Sequence, residues 1–250
     1  MGLNSSFITP DWPAPEGVRA VSTTRQGGNS QPPFATFNLA THVADDPQQV
    51  AENRDYLQQQ LNLPSSPAWM NQVHGIELHT LVEPQLTPLN GDGVVSHKAG
   101  LVCAVMTADC LPVLLCDRSG QAVAAVHAGW RGLCSGIIER TIQQMQRPSE
   151  QLLAWLGPAI GPDAFQVGAE VRDRFIAHNP VAEKAFVRQD ESHWLADLYQ
   201  LARQRLLSQG VSAIYGGQYC TFQQNDLFFS YRREGKTGRM ASLIWLQSSQ

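Results

Sequence analysis

The stretch "MTADCLPVLLCDRSGQAVAAVHAGWRG", residues 106–132, decides the fold because it predicts two neighbouring strands. Its apolar runs at 113–116 and 122–127 have the length and composition of buried strands. The segment "DRSG" at 117–120, between the two runs, is rich in turn-forming residues. Together these features predict a β-hairpin that is followed by the glycine-rich segment "AGWRG".

A cysteine and a histidine flank this hairpin. Cys110 comes just before the first strand, and His127 ends the second. A two-residue loop at 118–119 would place Asp117 opposite Gly120 and, in the same register, Cys110 opposite His127; a three-residue turn would shift this register by one residue. Opposed Cβ atoms lie about 4.5–5.5 Å apart. Zinc binds thiolate sulfur at about 2.3 Å and imidazole nitrogen at about 2.0–2.1 Å, so the pair could share one ion.

His74, in "NQVHG", is a third candidate ligand from a separate predicted strand. Two histidines and one cysteine would leave the fourth position of a zinc ion open, as in catalytic sites. Cys110 beside His127 could equally form a thiolate–imidazolium couple for nucleophilic catalysis. Asp109 would serve either site, by orienting a histidine or by activating a bound water molecule. The residues alone leave open a metal site, a nucleophilic pair and a tightly packed structural hairpin.

The bulk composition is that of a globular protein. The chain has 250 residues with a net charge of −4, and no basic block offers a nucleic-acid surface. No apolar run approaches the roughly 18 residues that span a bilayer, and the first residues lack the pattern of a secretory signal. Five cysteines without CxxC spacing predict free thiols in a reducing compartment. We therefore expect one cytoplasmic domain, residues 1–250, that has no nucleic-acid or membrane partner.

Strands and helices alternate along the chain in a way that predicts an α+β (mixed α/β) fold, in which helices flank mixed β-sheets. The predicted helices are 47–62, begun by Asp46, and 133–145, 167–178 and 194–209. Besides the hairpin, the predicted strands include 18–25, 67–82 around His74, 101–106, 152–156, 211–217, and a C-terminal hairpin around 235–238.

Six motifs, taken in order, resemble the YfiH-like laccase-domain family. They are "MNQVHG", "DGVVS", "MTADCLPVLL", "AVHAGWRG", "GPAIGP" and "FFSYRR…TGRMAS", and the resemblance extends from "STTRQGG" to "GRMASLIWL". Members of the family have been called multicopper polyphenol oxidases, purine nucleoside phosphorylases and peptidoglycan editing factors. The resemblance implies an α+β fold related in architecture to deamidating-toxin cysteine hydrolases. It also implies one zinc ion held by His74, Cys110 and His127.

The resemblance further implies a purine nucleoside enzyme. Its reactions would be phosphorolysis of adenosine, inosine and methylthioadenosine to base and ribose 1-phosphate, and deamination of adenosine to inosine. Zinc suits deamination because it lowers the pKa of bound water to about 7, and phosphate binding calls for guanidinium or backbone N–H donors. The candidate substrate-binding residues are Arg25, Asn38, His42, Arg131, Arg232 and Arg239.

Three other functions are considered beside this one. A polyphenol oxidase needs a type-1 copper site and a trinuclear cluster built from many histidines, and this chain has seven histidines without an HxH pair. Copper could still bind at a Cys/His site, because Cu²⁺ outcompetes Zn²⁺ at such ligands. A hydrolase that edits peptidoglycan precursors could use Cys110 or zinc-bound water. A partner-binding module without enzymatic activity would need a large exposed apolar patch.

Overall fold

The structure is a computed structural model that describes residues 6–248. The helices are α1 (Pro47–Gln60), α2 (Trp130–Ser135), α3 (Ile137–Met145), α4 (Ala169–His178), α5 (Leu198–Ser208) and α6 (Tyr231–Glu234). The strands are β1 (Phe7–Ile8), β2 (Val18–Thr23), β3 (Met70–Asn71), β4 (Leu78–Leu81), β5 (Leu89–Asn90), β6 (Gly93–Ser96), β7 (Val102–Thr107), β8 (Leu111–Asp117), β9 (Val123–Ala128), β10 (Leu152–Leu156), β11 (Gln166–Gly168), β12 (Phe186–Arg188), β13 (His193–Ala196), β14 (Ala213–Gly216) and β15 (Met240–Leu246).

Two sheets form the centre of the fold. The larger has the order β14-β10-β8-β9-β6-β4, and it is antiparallel except at the parallel pairs β14–β10 and β6–β4. The smaller, with the order β1-β2-β15-β7, is antiparallel throughout. The predicted α+β fold with mixed sheets flanked by helices is thereby confirmed. The single domain over residues 1–250 stays a prediction, and its two ends lie outside the described residues.

The two sheets pack face to face, and helices cover their outer faces. Alternate side chains of β8 divide between two cores: Leu114 packs with Val105 and Ile244 of the smaller sheet, whereas Val113 packs towards the helices α2, α3 and α5. On the far side, α1 covers the smaller sheet. Because β8 and β9 are buried on both faces, their sequences are continuous apolar runs rather than alternating ones.

The hairpin β8–β9 forms as predicted, but its register differs. Cys116 pairs with Val123 and Pro112 with His127, so the loop has four residues, 118–121. The predicted two-residue loop is wrong, and so is the register of the three-residue turn. The cause is Asp117, whose carboxylate accepts hydrogen bonds from backbone N–H groups across the loop, those of Ser119, Gln121 and Ala122. This side chain stabilises a wider turn than the residue types indicate.

Several elements of the structure differ from the predicted ones in their bounds or their type. Gly136, with φ +96°, interrupts the helix predicted over 133–145 and separates α2 from α3. The helices predicted from 167 and 194 start later, because β11 and β13 occupy their first residues. The C-terminal hairpin is wrong: residues 231–234 form α6, and β15 pairs instead with β2 and β7. Within the part of the chain that the structure describes, no helix is long and apolar enough to cross a membrane.

Candidate metal and substrate site

Three side chains from separate segments meet at one end of the β8–β9 hairpin. His74 lies in the loop between β3 and β4, Cys110 directly before β8, and His127 on β9. One ligand atom from each lies within 4.8 Å of the others. Ligand atoms around a tetrahedral zinc ion are separated by roughly 3.4–3.7 Å, as follows from the usual bond lengths. Small side-chain rotations would therefore bring the three atoms to one ion.

Cys110 and His127 meet although the hairpin register does not oppose them. Continuing that register by one residue places Cys110 opposite Gly129, which lies two positions beyond His127 and on the same face of the strand. The cysteine and the histidine are thus diagonal neighbours, which are normally farther apart than opposed ones. Gly129 allows the approach because a Cβ atom at this position would lie 3.0 Å from Cys110 Sγ.

Asp92 orients the histidines, a role for which the sequence suggested Asp109. The carboxylate of Asp92 is fully buried and accepts a hydrogen bond from His127 Nδ1 at 2.8 Å. It also accepts from the backbone N–H groups of His74 and Gly75, at 2.9 and 2.7 Å. The signal that could have indicated Asp92 is the motif "DGVVS", in which the aspartate directly precedes strand β6.

Asp109 is held elsewhere and does not contact His127. Its carboxylate accepts from Thr221 Oγ1 at 2.6 Å and from the backbone N–H of Arg232 at 2.7 Å. Its φ of +92° is left-handed, which is rare for a residue other than glycine. Asp109 therefore ties the segment that carries Cys110 to the start of α6. The prediction that it orients a histidine is wrong. Asp109 lines the cavity, and its role in activating a bound water molecule stays a prediction.

The surroundings of Cys110 and His127 shift the pKa values of the thiol and the imidazole in opposite directions. Burial by itself opposes ionisation of Cys110, but His127 and then His74, through charge and hydrogen bonds, lower the pKa of the thiol well below its usual value. Burial likewise opposes the charge on His127, but the thiolate and the carboxylate of Asp92 raise the pKa of this imidazole. The site therefore favours the thiolate form of Cys110, and a thiolate is the form that binds metals or attacks carbonyl groups.

The three side chains open into a cavity of about 530 Å³. Its lining also includes the following predicted substrate-binding residues: His42, Arg131, Arg232 and Arg239. Three aromatic side chains complete the wall, each stacked against one guanidinium: Trp130 against Arg131, Phe165 against Arg232, and Tyr231 against Arg239. These aromatic residues are not among the predicted site residues, although Trp130 and Tyr231 stand within the quoted motifs. Burial, reinforced by the charges of Arg239 and Arg54, lowers the pKa of His42.

Two predicted substrate-binding residues lie outside the cavity wall. Arg25 donates to the carboxylate of Glu234 at 2.8 Å and to backbone carbonyl groups at 35, 225 and 228, and it stacks on Phe229. Asn38 is fully buried, and its side-chain carbonyl accepts the backbone N–H of Arg239 at 3.0 Å. Arg25 therefore has a structural role, and Asn38 positions the backbone of Arg239. Their predicted contacts with a sugar or a phosphate stay a prediction.

A protein-family model described as multi-copper polyphenol oxidoreductase laccase matches residues 19–247. The chain belongs to this laccase family. Curated relatives match almost the whole of it. The purine nucleoside phosphorylase YfiH of Escherichia coli K12 is 53% identical over 97% of this chain and 99% of that protein. The purine nucleoside phosphorylase PA4543 of Pseudomonas aeruginosa is 52% identical, again over 97% and 99%.

Solved structures of relatives have the same fold. Protein NMB0706 of Neisseria meningitidis is 50% identical, with a TM-score of 0.94 over 97% of this chain and 100% of that one. YlmD of Geobacillus stearothermophilus is 29% identical, with a TM-score of 0.93 over 99% and 98%. The fold expected from the sequence motifs is therefore the fold of these two solved relatives.

The description of the laccase family names several copper ions, and we tested whether this chain's residues fit them. Among residues 6–248, which contain all seven histidines, one His/Cys/Asp/Glu group is close enough to hold a metal: His74, Cys110 and His127. Elsewhere, His79 bonds to the carbonyl of Asn90, and His193 pairs with Asp190 at the surface. The donor set fits a single ion bound by one sulfur and two nitrogens. It does not fit a trinuclear cluster.

Proposed function

We propose that the protein is a zinc-dependent purine nucleoside enzyme. Its reactions are phosphorolysis of adenosine, inosine and methylthioadenosine to base and ribose 1-phosphate, and deamination of adenosine to inosine. The observation that carries the proposal is that a Cys/His₂ ligand set and three guanidiniums line one cavity. Two relatives to which the chain is more than 50% identical are named purine nucleoside phosphorylases, which supports purine nucleosides and phosphate as substrates.

The cavity residues have separate tasks in this proposal. Arg232 and Arg239 hold the phosphate, since each engages only Nη1 in the hydrogen bonds found among the described residues. The flat faces of Trp130 and Phe165 stack against the purine. His42, whose pKa is lowered, stays neutral near pH 7 and can both donate to and accept from a sugar hydroxyl.

Phosphorolysis requires the phosphate and C1′ of the nucleoside to be held close together in one orientation. A phosphate oxygen forms a bond to C1′ as the bond between C1′ and the purine nitrogen breaks, and the departing base takes up a proton. The guanidiniums offset the repulsion between the phosphate and other anionic groups and fix its direction of attack.

For deamination, His74, Cys110 and His127 would hold the zinc ion, which supplies a water molecule whose pKa is lowered to about 7.

Zinc is proposed over copper because one thiolate and two imidazoles are ligands of catalytic zinc sites with an open position. Copper would compete for the same atoms in a preparation that contains it. A cytoplasmic location is part of the proposal as well. All five cysteines are free thiols, as predicted, and such thiols persist in a reducing compartment.

A second candidate function rests on the chain of contacts from Cys110 through His127 to Asp92. The thiolate lies beside His127, whose other ring nitrogen donates to Asp92, and this nucleophile–base–carboxylate arrangement is that of cysteine hydrolases. Such an enzyme would attack an amide, as in a peptidoglycan precursor: a bond forms between sulfur and the carbonyl carbon, the C–N bond breaks, and the amine leaves with a proton from His127. Water would later release the acyl group.

The deciding experiment measures products from adenosine as phosphate is varied, before and after verified removal of zinc. The proposed enzyme gives inosine without phosphate, and adenine with ribose 1-phosphate as phosphate is added. Both reactions should stop when zinc is removed and return when it is restored. Undiminished turnover without zinc, together with loss of activity on alkylation of Cys110, would favour the cysteine hydrolase.

A further inference from the structure

The carboxylate of Asp92 receives four N–H groups, all from residues at the metal site. Oδ1 accepts from His127 Nδ1 at 2.8 Å and from the backbone N–H of His74 at 2.9 Å. Oδ2 accepts from the backbone N–H groups of Gly75 and Val73, at 2.7 and 3.3 Å. Asp92 is fully buried, so water does not compete for these bonds. Both histidine ligands therefore depend on one side chain.

At His127, the bond to Asp92 determines which ring nitrogen faces the cavity. The neutral imidazole has one N–H group and one lone pair, and the partner of one nitrogen sets the role of the other. Because Nδ1 donates to Asp92, the proton is held there and Nε2 keeps its lone pair for a ligand. The backbone of Asp92 strengthens the placement, since its carbonyl accepts the N–H of His127 at 2.7 Å.

At His74, the same carboxylate holds an unfavourable backbone conformation. His74 has a φ of +60°, in the left-handed region that side chains other than glycine rarely adopt. Three successive backbone N–H groups, at 73, 74 and 75, converge on Asp92 from this turn. Convergence of this kind requires an anion at its centre. Without the anion, nothing among these contacts would keep the loop in the conformation that carries His74 towards Cys110.

We propose that Asp92 is the positioning residue of the metal site, setting the tautomer of His127 and the loop of His74 with one carboxylate. The inference rests on the metal site of the proposed function, but it does not depend on which nucleoside reacts. In this role Asp92 determines how the metal ligands are placed, which a carboxylate that only stabilises the fold does not do.

Asp92→Asn provides the test because the amide keeps the size of the carboxylate and cannot accept four hydrogen bonds. In either orientation its NH₂ group would face two N–H donors, those at His74 and His127 or those at Val73 and Gly75. The matched control is Asp117→Asn. Asp117 is also a buried carboxylate that accepts three backbone N–H groups, at the opposite end of the β8–β9 hairpin.

The measurements are zinc affinity by competition with a chromophoric chelator, and the visible spectrum after cobalt replaces zinc. Asp92→Asn is expected to lower the affinity about 10- to 100-fold, the usual effect of removing a carboxylate that orients a ligand, and to change the cobalt bands. Backbone amides 73–75 should also exchange hydrogen faster. Asp117→Asn should leave affinity and spectrum as in the unaltered protein. Equal affinity and identical spectra in Asp92→Asn would overturn the inference, as would equal losses in both variants.

A measurement on the unaltered protein covers the case in which Asp92→Asn does not fold. The ¹⁵N shifts of His127 in the zinc-loaded protein should show a protonated Nδ1 and a metal-bound Nε2. Binding of zinc through Nδ1 would contradict the inference. Failure of the proposed function is seen separately: zinc would bind the unaltered protein as described, and purine nucleosides would not react.

Discussion

Gly129 lies directly against the thiol of Cys110, and a Cβ atom on this glycine would stand 3.0 Å from Sγ and 3.1 Å from Cδ2 of His74. The φ and ψ of Gly129, −59° and 155°, are open to any residue. The glycine is therefore needed for space and not for its backbone conformation. It leaves room at the point where the thiol and the two imidazoles converge.

Gly129→Ala should consequently weaken zinc binding while the fold persists. The added methyl group displaces Cys110 or His74, and we expect an affinity loss of about tenfold or more, the scale on which support of a metal site acts. Competition with a chelator measures it. Gly17→Ala is the control, because no atom lies within 4 Å of a Cβ atom at that position. Unchanged zinc affinity in Gly129→Ala would contradict this prediction, because it would mean that the methyl group fits without displacing Cys110 or His74.

Removal of the thiol should abolish metal loading. In Cys110→Ala the site keeps two imidazoles, which hold zinc too weakly for stable occupancy. The residue lies at a cavity wall, so we expect the melting temperature to change little. Elemental analysis of the purified variant, with circular dichroism as the check on folding, gives the answer. Full zinc occupancy would contradict the ligand assignment.

Cys110 should be the most reactive thiol once zinc is removed. Neighbouring imidazoles lower the pKa of Cys110, whereas burial raises the pKa of Cys103 and Cys116. Since the thiolate is the nucleophile, alkylation of Cys110 should persist as the pH falls below the usual thiol range, and the other two should stay unmodified. Mass spectrometry of iodoacetamide-treated protein at several pH values tests this. Zinc should slow the reaction, and Cys110→Ala supplies the blank.

Substitution of an arginine that lines the cavity should change the KM for phosphate, whereas substitution of Arg25, which lies outside the cavity wall, should not. Lysine keeps the charge but loses the guanidinium fork, so Arg239→Lys and Arg232→Lys should raise the KM for phosphate and affect deamination less. Arg25→Lys should leave that KM unchanged, and it should cost about 1–3 kcal/mol of stability through the loss of partly buried hydrogen bonds. Steady-state kinetics and urea unfolding of the three variants separate these effects. A large rise in the phosphate KM in Arg25→Lys alone would reverse the assignment.

Asp117 should make the stability of the hairpin depend on acid. Burial opposes ionisation, but hydrogen bonds from Ser119 and from the backbone of Gln121 and Ala122 lower the pKa of this carboxyl below 3.8. The unfolded chain therefore binds the proton more readily than the folded one. The contribution of Asp117 to the free energy of unfolding is fully present above the unfolded-state pKa, and it is lost as the pH falls through the folded-state pKa. Asp117→Asn should cost about 1–3 kcal/mol near pH 7 and less in acid. Urea unfolding at several pH values measures this; an equal cost at every pH would contradict it.

The sequence predicted local features better than distant ones. The hairpin strands, helix α1 with its capping Asp46, and three converging side chains all follow from residue types and motifs. The loop register did not, because one carboxylate, Asp117, outweighed the turn preference of its neighbours. Asp92 was missed for a related reason: its partners lie 17 to 35 residues away in the chain. A role set by hydrogen bonds of such separation is not visible in a local pattern.

Strand β15 has a consequence for the order of events during synthesis. It lies between β2 and β7, so residues 240–246 join two strands that are made much earlier. While the ribosome is still making the segment before β15, those strands lack their common neighbour, and their facing edges have open N–H and C=O groups. Such edges can pair with other chains. Arg239, directly before β15, reaches the cavity only when β15 is inserted. This part of the cavity wall is therefore completed after the segment that carries Cys110 and His127 has been made.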